Sequence, residues 1–316
     1  MTPLGCGEQP KAFLSLTALP KAESRPPLLP EGYGLGKLDN LPRAVVYMLL
    51  SAASFAVMGA MVKAAGDLPV HQKVFFRNLV TLVITVVMAW QKRENPFGPT
   101  RHLTLLLVRS FAGLGGVFLY FYAIGHLTLA DASLLVQISP FWVTVLAALW
   151  LGERITRPIA WSLVVAFIGA ALLIRPGFAW QPWPALAGFG ASFCAGLAYA
   201  VVRKLKGREE PRRIVFYFSL ISTVAMVPLM LWRHVMPAGW QWVWLVGTGA
   251  FAAAGQVLLT FAYHRAPAGR ISIWSYNNVL FSLILGLAVW GEAPALISLL
   301  GGALIVAAAI TNHRAR

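Results

Sequence analysis

The sequence predicts an all-α, polytopic membrane protein of ten transmembrane helices, built as a 5+5 inverted structural repeat. Three observations predict it. Hydrophobic residues fill 58% of the 316 positions and charged residues only 12%, about half the charged share of a soluble domain. That leaves too little polar surface to cover a water-soluble globule, so the solvent for most of the chain is lipid. After a polar start the chain divides into ten apolar runs with short connections. In lipid such runs must satisfy their own backbone groups and so form helices. Finally, the second half repeats the first at an offset near 139 positions.

Residues 1–42 hold seven prolines (Pro3, Pro10, Pro20, Pro26, Pro27, Pro30 and Pro42) and no run able to span. They read as a disordered cytoplasmic tail. The tail lacks the basic, apolar, small-residue order of a cleaved signal peptide, so the first span is expected to remain as an anchor. The runs of the first half, 43–175, are Ala44–Ala64, Val70–Trp90, Leu103–Ile124, Asp131–Leu151 and Pro158–Ile174. Those of the second half, 184–311, are Ala185–Val202, Ile214–Trp232, Trp242–Tyr263, Ile271–Trp290 and Ala295–Thr311.

The repeat is clearest between Ala130–Glu153 and Gly269–Glu292, where Ser133 falls on Ser272, Leu146 on Leu285, Gly152 on Gly291 and Glu153 on Glu292. It continues upstream: Leu106 meets Leu245, Gly116 meets Gly255, Lys63 meets Arg203, and Val74-Phe75-Phe76 meets Val215-Phe216-Tyr217. Five helices per half is an odd number, so the second half enters the membrane upside down, as in many secondary transporters. Lys and Arg placement orients the whole. With the N-terminus inside, twenty basic residues lie in inner segments and three (Lys63, Arg175, Arg233) in outer ones. Both termini are therefore expected in the cytoplasm. The same distribution absorbs most of the net charge of +15 with no nucleic acid as partner.

Three basic residues remain inside spans: Lys73, Arg77 and Arg109. Arg77 falls about 10 Å below the outer end of its helix, and Arg109 a similar depth from the inner end. Lys73 is nearer the outer surface and can snorkel. Intramembrane charges are costly and face a cavity or a partner. Each Arg either braces the bundle through carbonyls at a neighbouring helix end or borders a substrate path, contacting a carboxylate or phosphate that suits its planar fork. Their repeat counterparts are Phe218 and Thr248, so symmetric scaffolding does not require the charges.

Two polar islands interrupt the fourth and ninth runs. Gln137 and Ser139 match Tyr276 and Asn278, with Trp274 and Asn277 beside them. An inverted repeat places these islands opposite each other near mid-depth, where transporter substrate sites lie. The alternative is that the amides act as interhelical glue. Pro140 is expected to kink the fourth run just after its island. Asp131 opens that run, where an acid favours the positive end of the helix dipole. Glu153 and Glu292 close the two runs and are expected to pair across the repeat or to cap the next helix. Gly113, Gly115, Gly116, Gly188, Gly190 and Gly196 mark close helix approach.

Enzyme and metal readings find no support. His71 and His126 sit at helix ends, and no nucleophile elbow or paired acid is present. Cys6 and Cys194 cannot form a disulfide framework. No cofactor or metal is expected.

Several residues together resemble the drug/metabolite transporter superfamily, in particular its EamA-type members. They are Phe75-Phe76-Arg77, Arg109, Tyr122-Ala123-Ile124, Ala130-Asp131-Ala132, Ser139-Pro140-Phe141 and Leu151-Gly152-Glu153-Arg154. The resemblance covers about residues 44–311. It implies two EamA repeats, a central cavity between them, alternating access and a small-molecule metabolite as cargo. The Phe-Phe-Arg step with Arg109 looks most like the S-adenosylmethionine uptake branch. Other branches move amino acids, amines, riboflavin or drugs. The expected product is a bacterial inner-membrane carrier, monomer or homodimer. Alternatives are an efflux carrier of the same fold and a membrane scaffold or lipid-binding protein that transports nothing.

Overall fold

The computed structural model describes residues 41–93, 95–98, 100, 102–151, 156–174, 182–205, 208–265 and 272–314. The tail expected over 1–42 and the motif residues Gly152 to Arg154 lie outside these, except for the last two residues of the tail. Every regular element among the described residues is helical. They are α1 Leu41–Ala64, α2 Val70–Gln91, α3 Leu103–His126, α4 Leu129–Val136, α5 Ser139–Leu151, α6 Arg157–Ile174, α7 Pro182–Leu205, α8 Pro211–Trp232 and α9 Gln241–Arg265. A 3-10 turn over Ser272–Tyr276 leads into α10 Asn277–Trp290, and α11 Leu296–Arg314 ends the chain.

Among the described residues seven stretches are long and apolar enough to cross a membrane, while Ala160–Leu172, Trp274–Trp290 and Leu296–Thr311 are apolar but shorter. Helix falls in each of the ten expected runs, and over the described residues three of them are shorter than an unaided span needs. Large apolar side chains such as Trp90 (80% exposed), Leu231 (83%) and Leu296 (80%) point outward, which suits lipid and would be a liability in water.

The fourth run is not one helix. α4 stops at Val136, and α5 restarts at Ser139 after the turn Gln137-Ile138. Pro140 explains the position. Its ring has no N–H to offer the carbonyl four residues back, on Val136, and clashes with it. The interruption therefore falls inside the polar island, upstream of the proline. Thr128 starts α4 by accepting the Asp131 N–H at 3.1 Å. α10 ends at Gly291, which adopts a left-handed φ of 65° that glycine tolerates. That turn lets the Glu292 N–H reach back to the Gly286 carbonyl at 3.1 Å.

Helix pairing follows a pattern. α1 packs on α9 and α3 on α7; α2 packs on α9 and α3 on α8; α1 packs on α10 and α5 on α7. α2 meets α8, α4 meets α10 and α6 meets α11. Two large apolar cores and three smaller clusters result among the described residues. One joins Met58, Val62, Val74, Phe121, Leu129, Met226 and Ala252; the other joins Leu135, Ile138, Phe141, Ala166, Ala185 and Ile305.

Where lipid offers no hydrophobic drive between helices, small residues let backbones touch. A Cβ on Gly169 would meet the Gly301 carbonyl at 2.7 Å, and one on Gly116 would meet the Ala195 nitrogen at 3.3 Å. A Cβ on Gly196 would come within 2.4 Å of the Trp142 Cβ, so this glycine lets the start of α5 lie on α7.

Candidate functional site

Both polar islands fall at helix interruptions, and the two interruptions touch. Gln137, at the end of α4, donates through Nε2 to the Ser275 carbonyl at 2.9 Å. The Tyr276 hydroxyl donates to the Gln137 carbonyl at 3.3 Å. The break in each run frees backbone carbonyls, and the facing half supplies the donors. Gln137 and Tyr276 are each other's repeat counterparts, so the sequence already carried the signal for their meeting.

The other island residues separate. Asn278 donates to the Ala52 carbonyl of α1 at 3.0 Å. Asn277 turns back to the Trp274 carbonyl of its own segment at 3.0 Å, and Trp274 is 40% exposed. Ser139 is buried at the start of α5, its carbonyl close to Gly196. For Asn278 the interhelical-glue role is the one observed.

The two arginines converge on a third residue. The Arg109 guanidinium carbon lies 4.0 Å, and that of Arg77 5.2 Å, from the centre of the Phe218 ring on α8. Both side chains are 6% exposed. Arg77 donates through Nη1 to Asn78 Oδ1 at 2.7 Å. Asn78 is oriented by its own bond to the Val74 carbonyl. Arg77 Nε, Arg109 Nε and Arg109 Nη1 have no acceptor, and among the described residues neither guanidinium has an ion-pair partner.

Of the two alternatives, bracing through carbonyls at a neighbouring helix end is not seen among the described residues. An amide and an aromatic face hold Arg77, and a face alone is the contact seen for Arg109. Gly113, one turn beyond Arg109, makes room for this arrangement: a Cβ there would meet Phe218 Cε2 at 2.8 Å and Arg109 Nη1 at 3.1 Å. Thr248, the counterpart of Arg109, is buried and bonds the Trp244 carbonyl within its own helix. Lys73 does not snorkel; it is buried and donates to the Gly66 carbonyl at 2.6 Å.

A second cross-half cluster lies at the ends of α1, α4 and α10. Lys63 and Glu292 form an ion pair, Lys63 also donates to the Leu127 carbonyl at 2.8 Å, and Glu292 Oε2 accepts the Leu129 N–H at 3.0 Å. Glu292 thus pairs across the repeat and caps α4, not the next helix in sequence. Nearby, Tyr120, Ser133 and Ser282 form a buried hydroxyl chain, with Ser133 to Ser282 at 2.9 Å and Tyr120 to Ser133 at 3.2 Å. Sequence reasoning missed Phe218, Lys63 and this chain as site elements. Only Phe218 carried a signal, as the counterpart of Arg77.

The profile of the EamA-like transporter family matches residues 42–175 and again residues 182–312. This chain belongs to the EamA-like transporter family. It is 37% identical over 286 residues to the Pseudopaline exporter CntI of Pseudomonas aeruginosa, covering 88% of this chain and 99% of that one. It is 24% identical over 275 residues to the Riboflavin transporter of Vibrio cholerae, covering 84% and 90%. To human Solute carrier family 35 member G1 it is 24% identical over 278 residues, covering 83% and 76%. A crystal structure at 16% identity matches it with a TM-score of 0.63 over 85% of this chain and 96% of that one, a likeness of fold. The EamA chain is a multi-pass membrane transporter, and its apolar exterior is the surface such a protein presents to a bilayer.

Proposed function

We propose that this protein is a secondary transporter that moves a small polar metabolite across the bacterial inner membrane by alternating access. Its ten helices form two inverted EamA repeats, over 43–175 and 184–311, with both termini cytoplasmic. The observation that carries this reading is the contact between Gln137 and Tyr276. These are repeat counterparts, and each sits at the interruption of an apolar run. Counterparts that touch lie on a pseudo-two-fold axis, and broken helices at such an axis are where transporters hold their cargo. Arg77 and Phe218 are a second touching pair of counterparts.

Helix pairing supports the repeat. Exchanging α1 with α7, α2 with α8, α3 with α9, α4–α5 with the 3-10 turn and α10, and α6 with α11 converts the observed helix pairs into one another. The surplus of Lys and Arg in the assigned inner segments supports the orientation. In this reading Gln137, Ser139, Trp274, Tyr276, Asn277 and Asn278 surround the cargo path at one point along the axis, and Arg77 and Arg109 at another.

Export is the favoured direction, since the Pseudomonas aeruginosa relative is named an exporter. Uptake of a nucleoside-type metabolite such as S-adenosylmethionine is the second reading, favoured by the Phe75-Phe76-Arg77 step with Arg109. A thermal-shift screen of the purified protein against metabolites tests the proposal, because a ligand that binds only the native state raises its stability. Hits are then followed into reconstituted vesicles. Protein-dependent flux of a hit is the expected result. Ligands that bind but never cross would leave a lipid-binding or scaffold protein instead.

A further inference from the structure

The arginine pair carries an inference that rests on the carrier reading and narrows it to a class of cargo. Two buried guanidiniums share one aromatic ring, so their central carbons are no farther apart than the two ring distances added together. Tyr199 of α7 stands within electrostatic reach of both. Three of their nitrogens, Arg77 Nε and Arg109 Nε and Nη1, are buried without an acceptor. Buried donors nearly always find a partner, and buried cations need one most. The face of Phe218 offsets part of that need but cannot accept along the N–H directions. The hydrogen bond seen to the pair goes from Arg77 Nη1 to Asn78 Oδ1, within α2. The missing component is an oxyanion.

The site is also built where cargo passes. Arg77 and Phe218 are counterparts in contact, so the ring marks the pseudo-axis between the halves. α2 and α3 bring the two charges from the first half, and α8 brings the spacer from the second. Gly113 lets Phe218 and Arg109 sit this close, since a Cβ there would meet Phe218 Cε2 at 2.8 Å and Arg109 Nη1 at 3.1 Å. An internal acid would have neutralised the pair permanently. Among the described residues no acid pairs with either guanidinium, which leaves the positive charge free for a ligand that arrives and leaves.

We propose that Arg77 and Arg109 form a binding site for an oxyanionic group, carboxylate or phosphate, carried by the transported molecule. Asn78 holds Arg77 in place, and Arg109 makes the larger share of contacts because more of its donors are free.

The test uses the purified full-length protein in nanodiscs of phosphatidylcholine alone. Its thermal midpoint is followed while glutarate, glycerol 3-phosphate or the neutral glutaramide is added at constant ionic strength. Glutarate or glycerol 3-phosphate should raise the midpoint saturably, and glutaramide should not. Whichever anion acts identifies the preferred oxyanion. Arg109→Gln should weaken the apparent affinity by about tenfold or more, the scale of one lost charge-assisted contact. Arg77→Gln should weaken it less, and Arg233→Gln on the exposed rim should leave it unchanged. If Arg109→Gln does not fold, Arg109→Lys keeps the charge, loses the fork and should still weaken the anion.

Equal effects of glutarate and glutaramide on the wild type overturn the inference, as does an anion effect that survives in both the Arg77 and Arg109 variants. A midpoint that rises on adding phosphatidylglycerol, with no further response to either soluble anion, assigns the pair to lipid and also overturns it. Flux in vesicles is read separately. A protein that transports yet shows no arginine-dependent anion effect keeps its proposed function and loses this site.

Discussion

Removing Glu292 tests the join between the two halves. Its carboxylate pairs with Lys63 and accepts the Leu129 N–H, and the two charged side chains are 18% and 16% exposed. An exposed pair contributes about 0–1 kcal/mol, whereas breaking a fully buried one costs about 3–5 kcal/mol. Loss of a charged acceptor from a backbone N–H costs about 1.5–3 kcal/mol. Lys63 keeps its bond to the Leu127 carbonyl at 2.8 Å, which limits the damage. Glu292→Ala is therefore expected to destabilise by about 3 kcal/mol, between the surface and buried limits. Glu292→Gln keeps an acceptor and should cost about half as much. Lys63→Met combined with Glu292→Gln should be less harmful than the two changes added, by about 1 kcal/mol or more. Reversible denaturant unfolding in mixed micelles, followed by tryptophan fluorescence, measures the wild type and the four variants. A coupling below about 0.5 kcal/mol, the usual scatter of independent sites, would refute the reasoning.

Other perturbations have equally definite outcomes. Arg77→Lys keeps the charge without the fork, so transport should fall while the folded amount in the membrane holds; Arg77→Ala should abolish transport. Full transport by a well-folded Arg77→Ala protein would remove the residue from the site. Gly196→Val would drive a side chain into Trp142 and the Ser139 carbonyl, and a loss of about 1–3 kcal/mol is expected from such overpacking, seen as a lower melting temperature. Deleting residues 1–38 should leave insertion and transport nearly intact, with membrane level and initial rate as the measurements. Reporter tags near Lys92 and Arg208 should read cytoplasmic, and tags after Ile124 or near Arg233 periplasmic.

The helices were readable because composition and run length report the solvent directly. Short connections between apolar stretches leave little freedom in where a helix begins or ends. The meeting of Gln137 with Tyr276 was readable too, through the internal repeat. Partners arriving from distant helices were not. Nothing local to Lys63 shows that Glu292 will reach it, and Lys73 looks free to snorkel until the α1–α2 turn folds Gly66 over it. The position of the fourth run's break follows from proline chemistry acting four residues back, an effect weaker in the pattern than the proline itself. Phe218 carried only its place opposite Arg77 in the repeat. Its role appears only when α8 sets it against two charges that the first half alone supplies.

The central claim is that the two helix interruptions line one path open alternately to each side. Asn277→Cys, in a chain with Cys6 and Cys194 replaced by alanine, measures this most directly. A membrane-impermeant thiol reagent is applied to one face of sealed, oriented vesicles, then to the other. Alternating access predicts labelling from both faces, slowed by bound cargo. Labelling from one face only, or from neither, would contradict it.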